Sequence, residues 1–293
     1  SYAVKGTSQL GEQSTELDLS FTPAATAEDI PSLNGTLSLH KIDLAFLSPP
    51  ASEISADAVP QKKSSSKKLI NDDTIPLDAL KSINAKLQIK LENIDTGYNF
   101  INKATLKPTL QGGLLKLKNT TVNFEGGEAK VALTLDASKT IPELDMQLSV
   151  DAEDYGKLGL DKAAGINQGN GRIRLDADSK GSTPHQLAAN MNAKLDIKIT
   201  DLVAQGNALN LIGSDVLSET IDKLNPFSEK KTSTEIECIA VHFKGSNGKF
   251  ISDDGIALET KQTKIIGTGN IDIGNEEFLL GVSPIARTGV GIN

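Results

Sequence analysis

The chain has no tryptophan, and aromatic residues make up only 4% of its 293 residues. Aromatic rings usually dominate large cores and stacking platforms, because each ring buries a large area. Any core must therefore come from leucine, isoleucine, valine and alanine. Apolar residues total 38%, which is below the usual share in globular proteins.

Motifs for catalysis or metal binding are also missing. The single cysteine, Cys238, excludes an internal disulfide, and its strand-like segment EIECIAVHF is typical of a small buried hydrophobe. The three histidines lie far apart in the chain and lack a metal-ligand spacing such as HExxH. No GxSxG turn, Cys–His signature or P-loop is present, and the acidic pairs fall in turn-like segments. These absences favour a protein that is not an enzyme and needs no cofactor or metal.

The charge and hydropathy patterns exclude two further classes. The formal net charge is −8 and the pI is about 5.0, whereas a nucleic-acid-binding protein needs clustered lysine and arginine. No run of about 18 apolar residues exists, so no segment reads as a membrane-spanning helix. The chain opens directly on strand-like sequence at Ser1, which predicts a piece of a longer protein whose targeting or membrane segment lies elsewhere.

Regular alternation of apolar and polar residues is the strongest positive signal. Between Asn84 and Asp151, every second residue is apolar over several runs, and glycine-containing turn signals separate the runs. A period of two predicts strands with one apolar face and one polar face. Gly112-Gly113 and Gly126-Gly127 mark hairpin turns or bulges.

The N-terminal third is predicted to contain three kinds of segment. Residues 1–22 form a hairpin, and residues 33–47 form a further strand region that Pro49-Pro50 ends. Residues 49–74 are rich in Ser, Lys, Ala, Asp and Pro, so they form a flexible low-complexity insert. Residues 75–83 form a short helix that starts at Pro76. We therefore divide the chain into an N-terminal β segment (1–48), the insert (49–74) and a C-terminal β region (75–293).

The C-terminal region is predicted to continue mainly as strands. Residues 152–168 form a loop with a helical turn, and residues 184–192 a short helix. Residues 208–224 form an amphipathic helix, because its leucine, isoleucine and valine residues recur at helical spacing. Further strands are predicted at 171–179, 193–199, 232–244, 248–251, 256–260, 264–273 and 278–282.

Three passages together resemble the AsmA family of bacterial envelope proteins. They are IPLDALKSINAKLQIKLENID after the insert, GGLLKLKNTTVNFEGGEAKVALTLDASKTIPELDMQLSVDAEDYGKL, and LVAQGNALNLIGSDVL followed later by VHFKGSNGKFISDDGIALETKQTKIIGTGNIDIGNEEFLLGVSPIARTGVGI. Their order, the position of the insert and the helix between the last strand groups match the C-terminal region of that family. The resemblance covers most of residues 33–293.

The resemblance implies a fold, a cellular location and a function. AsmA-like proteins are anchored in the inner membrane of Gram-negative bacteria and extend into the periplasm. They are similar to the Vps13-type bridge-like lipid-transfer proteins of eukaryotes, whose long β-sheet curls into an apolar groove that carries phospholipid acyl chains. The resemblance thus implies a periplasmic, anchored module for lipid transport between the inner and outer membranes. Its partners would be phospholipids, membranes reached through other parts of the parent chain, and envelope proteins, since some members have been linked to outer-membrane protein assembly.

Two architectures compete for the alternating strands. Periodicity alone fits a closed β-sandwich that acts through protein partners as a structural or assembly module. The resemblance instead favours a mainly β fold with an elongated, curled antiparallel sheet and an apolar groove. The helix at 208–224 is expected to pack on the sheet rather than to plug the groove. The groove hypothesis predicts that the apolar lining of the groove consists of Leu87, Ile89, Leu91, Val131, Leu133, Leu135, Leu144, Met146, Leu148, Val150, Ile173, Leu175, Leu195, Ile197 and Ile199.

Overall fold

Fifteen strands are hydrogen-bonded into one large, curled, mainly antiparallel sheet, as predicted. This computed structural model describes residues 1–26, 28–44, 69–97, 99–161, 165–205, 233–261 and 263–287. The described helical pieces are short, namely a 3₁₀ turn, a π-helical turn and one α-helix, α1, at Leu77–Lys81, Gly156–Leu160 and Pro184–Ala189. The described chain is therefore a single sheet with few elements to cover it.

The strands follow the alternating segments of the sequence. Their bounds are β1 Tyr2–Leu10, β2 Gln13–Thr22, β3 Ser32–His40, β4 Asn84–Asp95, β5 Phe100–Leu106, β6 Thr109–Gln111, β7 Leu114–Phe124, β8 Gly127–Asp136, β9 Glu143–Ala152, β10 Ile166–Lys180, β11 Asn192–Gln205, β12 Ser233–Ser246, β13 Lys249–Thr260, β14 Thr263–Asp272 and β15 Glu277–Ala286. Each strand pairs with the next one along the chain, except that β5 pairs with β7 and the short β6 pairs with β4 and β7. Among the described strands, the sheet thus runs in chain order from β1 to β15.

The predicted glycine turns are confirmed. Gly112 and Gly113 join β6 to β7 with φ of 55° and 87°, and Gly126 precedes β8 with φ of 93°. Only glycine adopts such left-handed angles at little cost. Gly126 also lies against the chain after β9, since a Cβ built there would approach the carbonyl oxygen of Asp154 to 2.6 Å.

One pairing departs from the predicted antiparallel order. β3 and β4 run parallel, with Leu37 opposite Ile89. A parallel pair cannot be joined by a tight turn, and it needs a connection of a dozen or more residues that returns to the starting edge. The long stretch between His40 and Asn84 supplies that connection. The low-complexity insert therefore falls within a crossover.

The described end of this crossover, residues 69–83, runs along one end of the sheet. The backbone N–H groups of Leu69 and Ile70 each donate to the Glu276 carboxylate beside the β14–β15 turn, at 2.8 Å. Farther along, the N–H of Ile75 donates to the carbonyl of Ser182 at 2.9 Å, just before α1. Before it enters β4, the segment thus forms hydrogen bonds with the β14–β15 turn and with the loop that precedes α1.

Several predicted boundaries are corrected. Strand β10 begins at Ile166, inside the predicted loop 152–168, and residues 41–44 lie outside the strand predicted over 33–47. β13 is one strand with an irregular register near Ser252, not two. The predicted helix at 208–224 and residues 49–68 of the insert lie outside the described residues. Among the described helices, none has the length and apolar character needed to cross a bilayer.

Candidate functional site

The strand registers align the apolar residues into rows that cross the sheet. One row continues through twelve strands without a polar side chain, from β3 to β15: Leu39, Leu91, Ala104, Val122, Ala129, Val150, Ile173, Ile197, Val241, Ile256, Gly267 and Val282. At a spacing of about 4.8 Å per strand, this row is about 50 Å long. The sheet therefore has one apolar face that extends across most of its width.

The fifteen residues predicted from the sequence all lie on this face. Val131 pairs with Leu148, which pairs with Leu175, which pairs with Leu195. Parallel rows pair Leu133 with Met146 and Leu135 with Leu144, and Ile199 lies opposite Gly171. Leu87, Ile89 and Leu91 of β4 join the face through Gly35, Leu106 and Ala104. The registers thus place on one face residues that are more than 100 positions apart in sequence, such as Leu87 and Ile199.

Most of the predicted residues are only half-buried. Ile199 is buried, with 8% of its surface exposed, whereas the other fourteen retain intermediate exposure. Side chains in the interior of a close-packed core are normally fully enclosed. The apolar face therefore keeps contact with solvent along the row Val131–Leu148–Leu175–Leu195 and the rows through Leu133 and Leu135, which we call the central rows.

One end of the same face is enclosed. Ala152, Tyr155, Ile199, Leu202 and Ile236 form a buried cluster together with Ala204. The segment 153–161, which includes the π-helical turn, adds Tyr155, Leu158 and Leu160 to this cluster. We call this group the end cluster. It shows that a short additional segment is enough to enclose part of the apolar face.

Tyr155 is unusual within the end cluster. Only 1% of its surface is exposed, and the described residues offer its hydroxyl no hydrogen-bond partner. Burial, with a smaller contribution from the nearby charge of Asp151, raises the pKa of Tyr155 to about 12. Desolvation has this effect because it penalises the phenolate and leaves the neutral phenol favoured.

Contacts at both ends hold segment 153–161 in place. The backbone N–H of Tyr155 donates to the carbonyl of Gly169 at 2.8 Å, and Lys157 forms an ion pair with Glu125 at 3.5 Å. The side-chain amide of Asn99 donates to the carbonyl of Leu158 at 3.3 Å. The segment therefore reaches from β10 to the β7–β8 and β4–β5 turns, across the ends of several strands.

Sequence reasoning missed parts of the apolar face. The rows continue into β5, β7 and β12–β15 through residues such as Leu106, Leu117, Phe243, Ile256 and Ile265. The alternation in β12–β15 was visible in the sequence and could have identified the later ones. In β7 the register shifts between Leu117 and Thr120, so the period breaks there.

The opposite face carries the charged side chains, and they pair across strands. Arg172 of β10 forms an ion pair with Asp151 of β9. An oxygen of the Asp196 carboxylate lies 2.6 Å from Nδ1 of His242. Hydrogen bonds with His242 and, to a smaller extent, with Lys194 hold the pKa of Asp196 below its ordinary value. Exposed pairs of this kind contribute little stability. These charged side chains keep this face hydrated, which distinguishes it chemically from the apolar face.

Other parts of the described chain offer less for a ligand. No group of three or more His, Cys, Asp or Glu side chains among the described residues is placed to hold a metal ion. A concavity near the ends of β8–β11 is lined by both acids and bases, including Glu128, Asp151, Arg172 and Lys198. Charges of opposite sign largely cancel there, so the apolar face is the stronger candidate site.

Comparisons with protein-family models, with curated proteins and with solved structures found no match for this chain.

Proposed function

We propose that the chain is a lipid-binding module of an AsmA-like envelope protein, and that its apolar face forms a groove for phospholipid acyl chains. In this proposal, the module lies in the periplasm, belongs to an inner-membrane-anchored protein and contributes to lipid transport between the inner and outer membranes. The polar face with its ion pairs is the outer wall. The protein performs no chemistry on the lipid.

The supporting observation is the continuous apolar row, most of which is half-buried. Twelve strands contribute to it, and nine of its members keep intermediate exposure, whereas Ala104, Ala129 and Gly267 are buried. Exposed apolar area of this extent is unfavourable in water, and large exposed apolar patches usually mark binding surfaces. A bound acyl chain would remove this area from solvent.

Acyl chains match the chemistry of the rows. Moving an acyl chain into water costs about 0.8 kcal/mol per methylene, so a chain of about sixteen carbons costs about 13 kcal/mol. A row of about 50 Å can shield such a chain along its whole length. Leucine, isoleucine and valine make no directional bonds, so a lipid can move along the rows without breaking specific contacts.

The decisive experiment introduces a charge on each face of β9 at adjacent positions. Leu148 lies in the row next to the twelve-strand row, between Val131 and Leu175, whereas Ser149 lies on the polar face between Lys130 and Arg174. Leu148→Glu should prevent lipid binding, because an acyl chain cannot cover a carboxylate without desolvating it. Ser149→Glu is the matched control, since its carboxylate is flanked by two cations.

The readout is native mass spectrometry of the chain purified without detergent, with a urea denaturation curve for each variant. We expect co-purified phospholipid in the wild-type protein and in Ser149→Glu, and none in Leu148→Glu, which should still fold. A lipid-free wild-type protein that takes up no offered phospholipid would refute the proposal. It would favour the alternative of an assembly module that acts through protein partners. Equal loss of stability and lipid in Leu148→Glu would identify the row as ordinary core.

A further inference from the structure

The concavity near the ends of β8–β11 has its charged side chains sorted by sign. It lies on the polar face and has a volume of about 840 Å³, which is within the usual range for small-molecule sites, roughly 300–1,000 Å³. Glu128, Asp151 and Glu153 lie on its β8–β9 side, and Arg172 and Lys198 lie on its β10–β11 side. The concavity is therefore close to neutral as a whole but strongly dipolar.

The strand registers place four of these side chains in one row across the sheet. Glu128 lies opposite Asp151, Asp151 lies opposite Arg172, and Arg172 lies opposite Lys198. The row thus contains an acidic pair followed by a basic pair, and like charges that face each other directly destabilise a sheet. In the middle of the row, Asp151 and Arg172 form an ion pair. A ligand that brings a cation to the acidic end and an anion to the basic end would relieve both repulsions.

The basic side keeps hydrogen-bond donors available for an anion. Lys198 is exposed, and its ammonium group has no partner within the described part of the chain. Arg172 uses Nε for Asp151, and its two terminal nitrogens have no partner among the described residues. A guanidinium and an ammonium group on adjacent strands can donate to the oxygens of one phosphate together.

The acidic side suits a primary ammonium group. The Glu153 carboxylate is exposed and is without a partner in the ranges that the structure describes, and Glu128 contacts Lys130 through Oε1 alone. Ionised carboxylates accept hydrogen bonds and so favour a cation that carries N–H groups. Quaternary ammonium groups are usually bound by several aromatic rings, whereas Phe124 is the one aromatic residue among those described in the lining.

The spacing of the strands limits the length of the ligand. Glu128 is two strands from Arg172 and three from Lys198, which corresponds to about 10–14 Å. A hydrogen bond of about 3 Å at each end leaves roughly 4–8 Å between the opposite charges of the ligand. Two carbons between a phosphate and an ammonium group give a separation within this range, whereas the charges of an α-amino acid lie closer together.

We propose that this concavity binds a zwitterionic aminoalkyl phosphate of the phosphoethanolamine type, with its phosphate at Arg172 and Lys198 and its ammonium group at Glu128 and Glu153. The same chemical group occurs as a free phosphoester and as a lipid headgroup. The site lies on the face opposite the apolar rows, so it goes beyond the function proposed above and does not depend on it.

Isothermal titration calorimetry of the full 293-residue chain with phosphoethanolamine, ethanolamine and inorganic phosphate tests whether both charges are recognised. We expect phosphoethanolamine to bind roughly ten-fold or more tightly than ethanolamine or phosphate alone. Lys198→Gln should weaken the binding of phosphoethanolamine and of phosphate, each by roughly ten-fold. Glu128→Gln, which keeps an oxygen for Lys130, should weaken phosphoethanolamine binding and leave phosphate binding no weaker.

Lys90→Gln is the matched control, because Lys90 is an exposed lysine on the polar face of β4, outside the concavity. It should change none of these affinities. Phosphoethanolamine binding that is no tighter than that of its two parts overturns the proposal. Equal losses in Lys198→Gln and Lys90→Gln also overturn it.

Vesicle flotation distinguishes the two sources of the ligand. Phosphatidylcholine vesicles are compared with and without phosphatidylethanolamine. Flotation that depends on phosphatidylethanolamine and is removed by Lys198→Gln assigns the site to a lipid headgroup. Calorimetric binding of phosphoethanolamine without such flotation assigns it to a free phosphoester.

Discussion

The end cluster and the central rows are two regions of the same apolar face, and they differ mainly in what covers them. Leu202 and Ile236 in the end cluster are 3% and 2% exposed, whereas Leu175 and Leu195 in the central rows are half-buried. All four lie in strands with a similar alternating pattern. The difference arises because segment 153–161 packs on one end of the face.

This comparison teaches that alternation identifies a face but does not reveal whether that face is covered. The end cluster behaves as a conventional core and should contribute most to folding. The central rows are built from the same residue types but remain accessible, which suits a surface that exchanges an apolar ligand. Variants can therefore separate stability from binding.

The largest expected effect comes from truncating one leucine in each region. Leu202→Ala should lower the free energy of unfolding by about 2–5 kcal/mol, because the enclosed site cannot collapse around the missing atoms. Leu175→Ala should cost clearly less, since solvent already reaches that side chain. Urea denaturation followed by circular dichroism measures both. Equal losses would show that the central rows are packed as tightly as the end cluster.

The ionisation of Tyr155 at alkaline pH gives a second measure of how well the end cluster is enclosed. The pKa of Tyr155 is about 12 in the folded protein against 10 for an ordinary tyrosine, so the folded state holds this proton more tightly. The corresponding stability is present below pH 10 and is lost as the pH rises from about 10 to about 12, by at most about 3 kcal/mol. Tyr155→Phe lacks this proton and should lose less stability over that range.

At neutral pH, Tyr155→Phe should be at least as stable as the wild-type protein, because the described part of the chain offers the buried hydroxyl no partner that the variant would lose. Tyr2→Phe, at an exposed position of β1, controls for the loss of a tyrosine hydroxyl. Urea midpoints measured at several pH values give the answer. A neutral-pH destabilisation in Tyr155→Phe would mean that the hydroxyl is hydrogen-bonded.

The smallest effect concerns the polar face, opposite both regions. His242 and Lys194 lower the pKa of Asp196, so the corresponding stability is present above pH 4 and is lost as the pH falls below about 4. Both members of the Asp196–His242 pair are more than one-third exposed, and solvent screening should keep the effect below about 1 kcal/mol. His242→Ala should make the loss of stability at acid pH, which we call the acid limb of the stability profile, slightly less steep.

His40→Ala is the matched control for that measurement. The His40 ring lies 3.7 Å from the Glu92 carboxylate, which is beyond hydrogen-bonding distance. Its charge is only the smallest of the causes that lower the pKa of Glu12, after Lys41, so this variant should change the acid limb less than His242→Ala does. Thermal midpoints between about pH 3 and pH 6 provide the comparison. A steep acid limb that survives in His242→Ala would assign the acid sensitivity to other carboxylates.

The mainly β character and the orientation of most strands could be predicted from local sequence, whereas the single curled sheet was predicted from the resemblance, since periodicity alone also fits a closed β-sandwich. Alternation places Leu133 and Leu148 on one face and Lys130 and Ser149 on the other, because successive side chains of a strand point in opposite directions. Glycine pairs such as Gly112-Gly113 mark turns for an equally local reason. Nearest-neighbour antiparallel pairing then follows wherever the connecting turn is short.

The other features of the fold could be found only in the tertiary structure, because they depend on contacts between residues that are distant in sequence. The parallel pairing of β3 with β4, the packing of Tyr155 on the end cluster and the openness of the central rows leave no local pattern. A periodic signal of two residues is the same whether the apolar face meets another layer or solvent. The sequence by itself therefore determined which residues share a face. Only the folded sheet decided which of them are enclosed, since enclosure depends on the packing of segments distant in sequence.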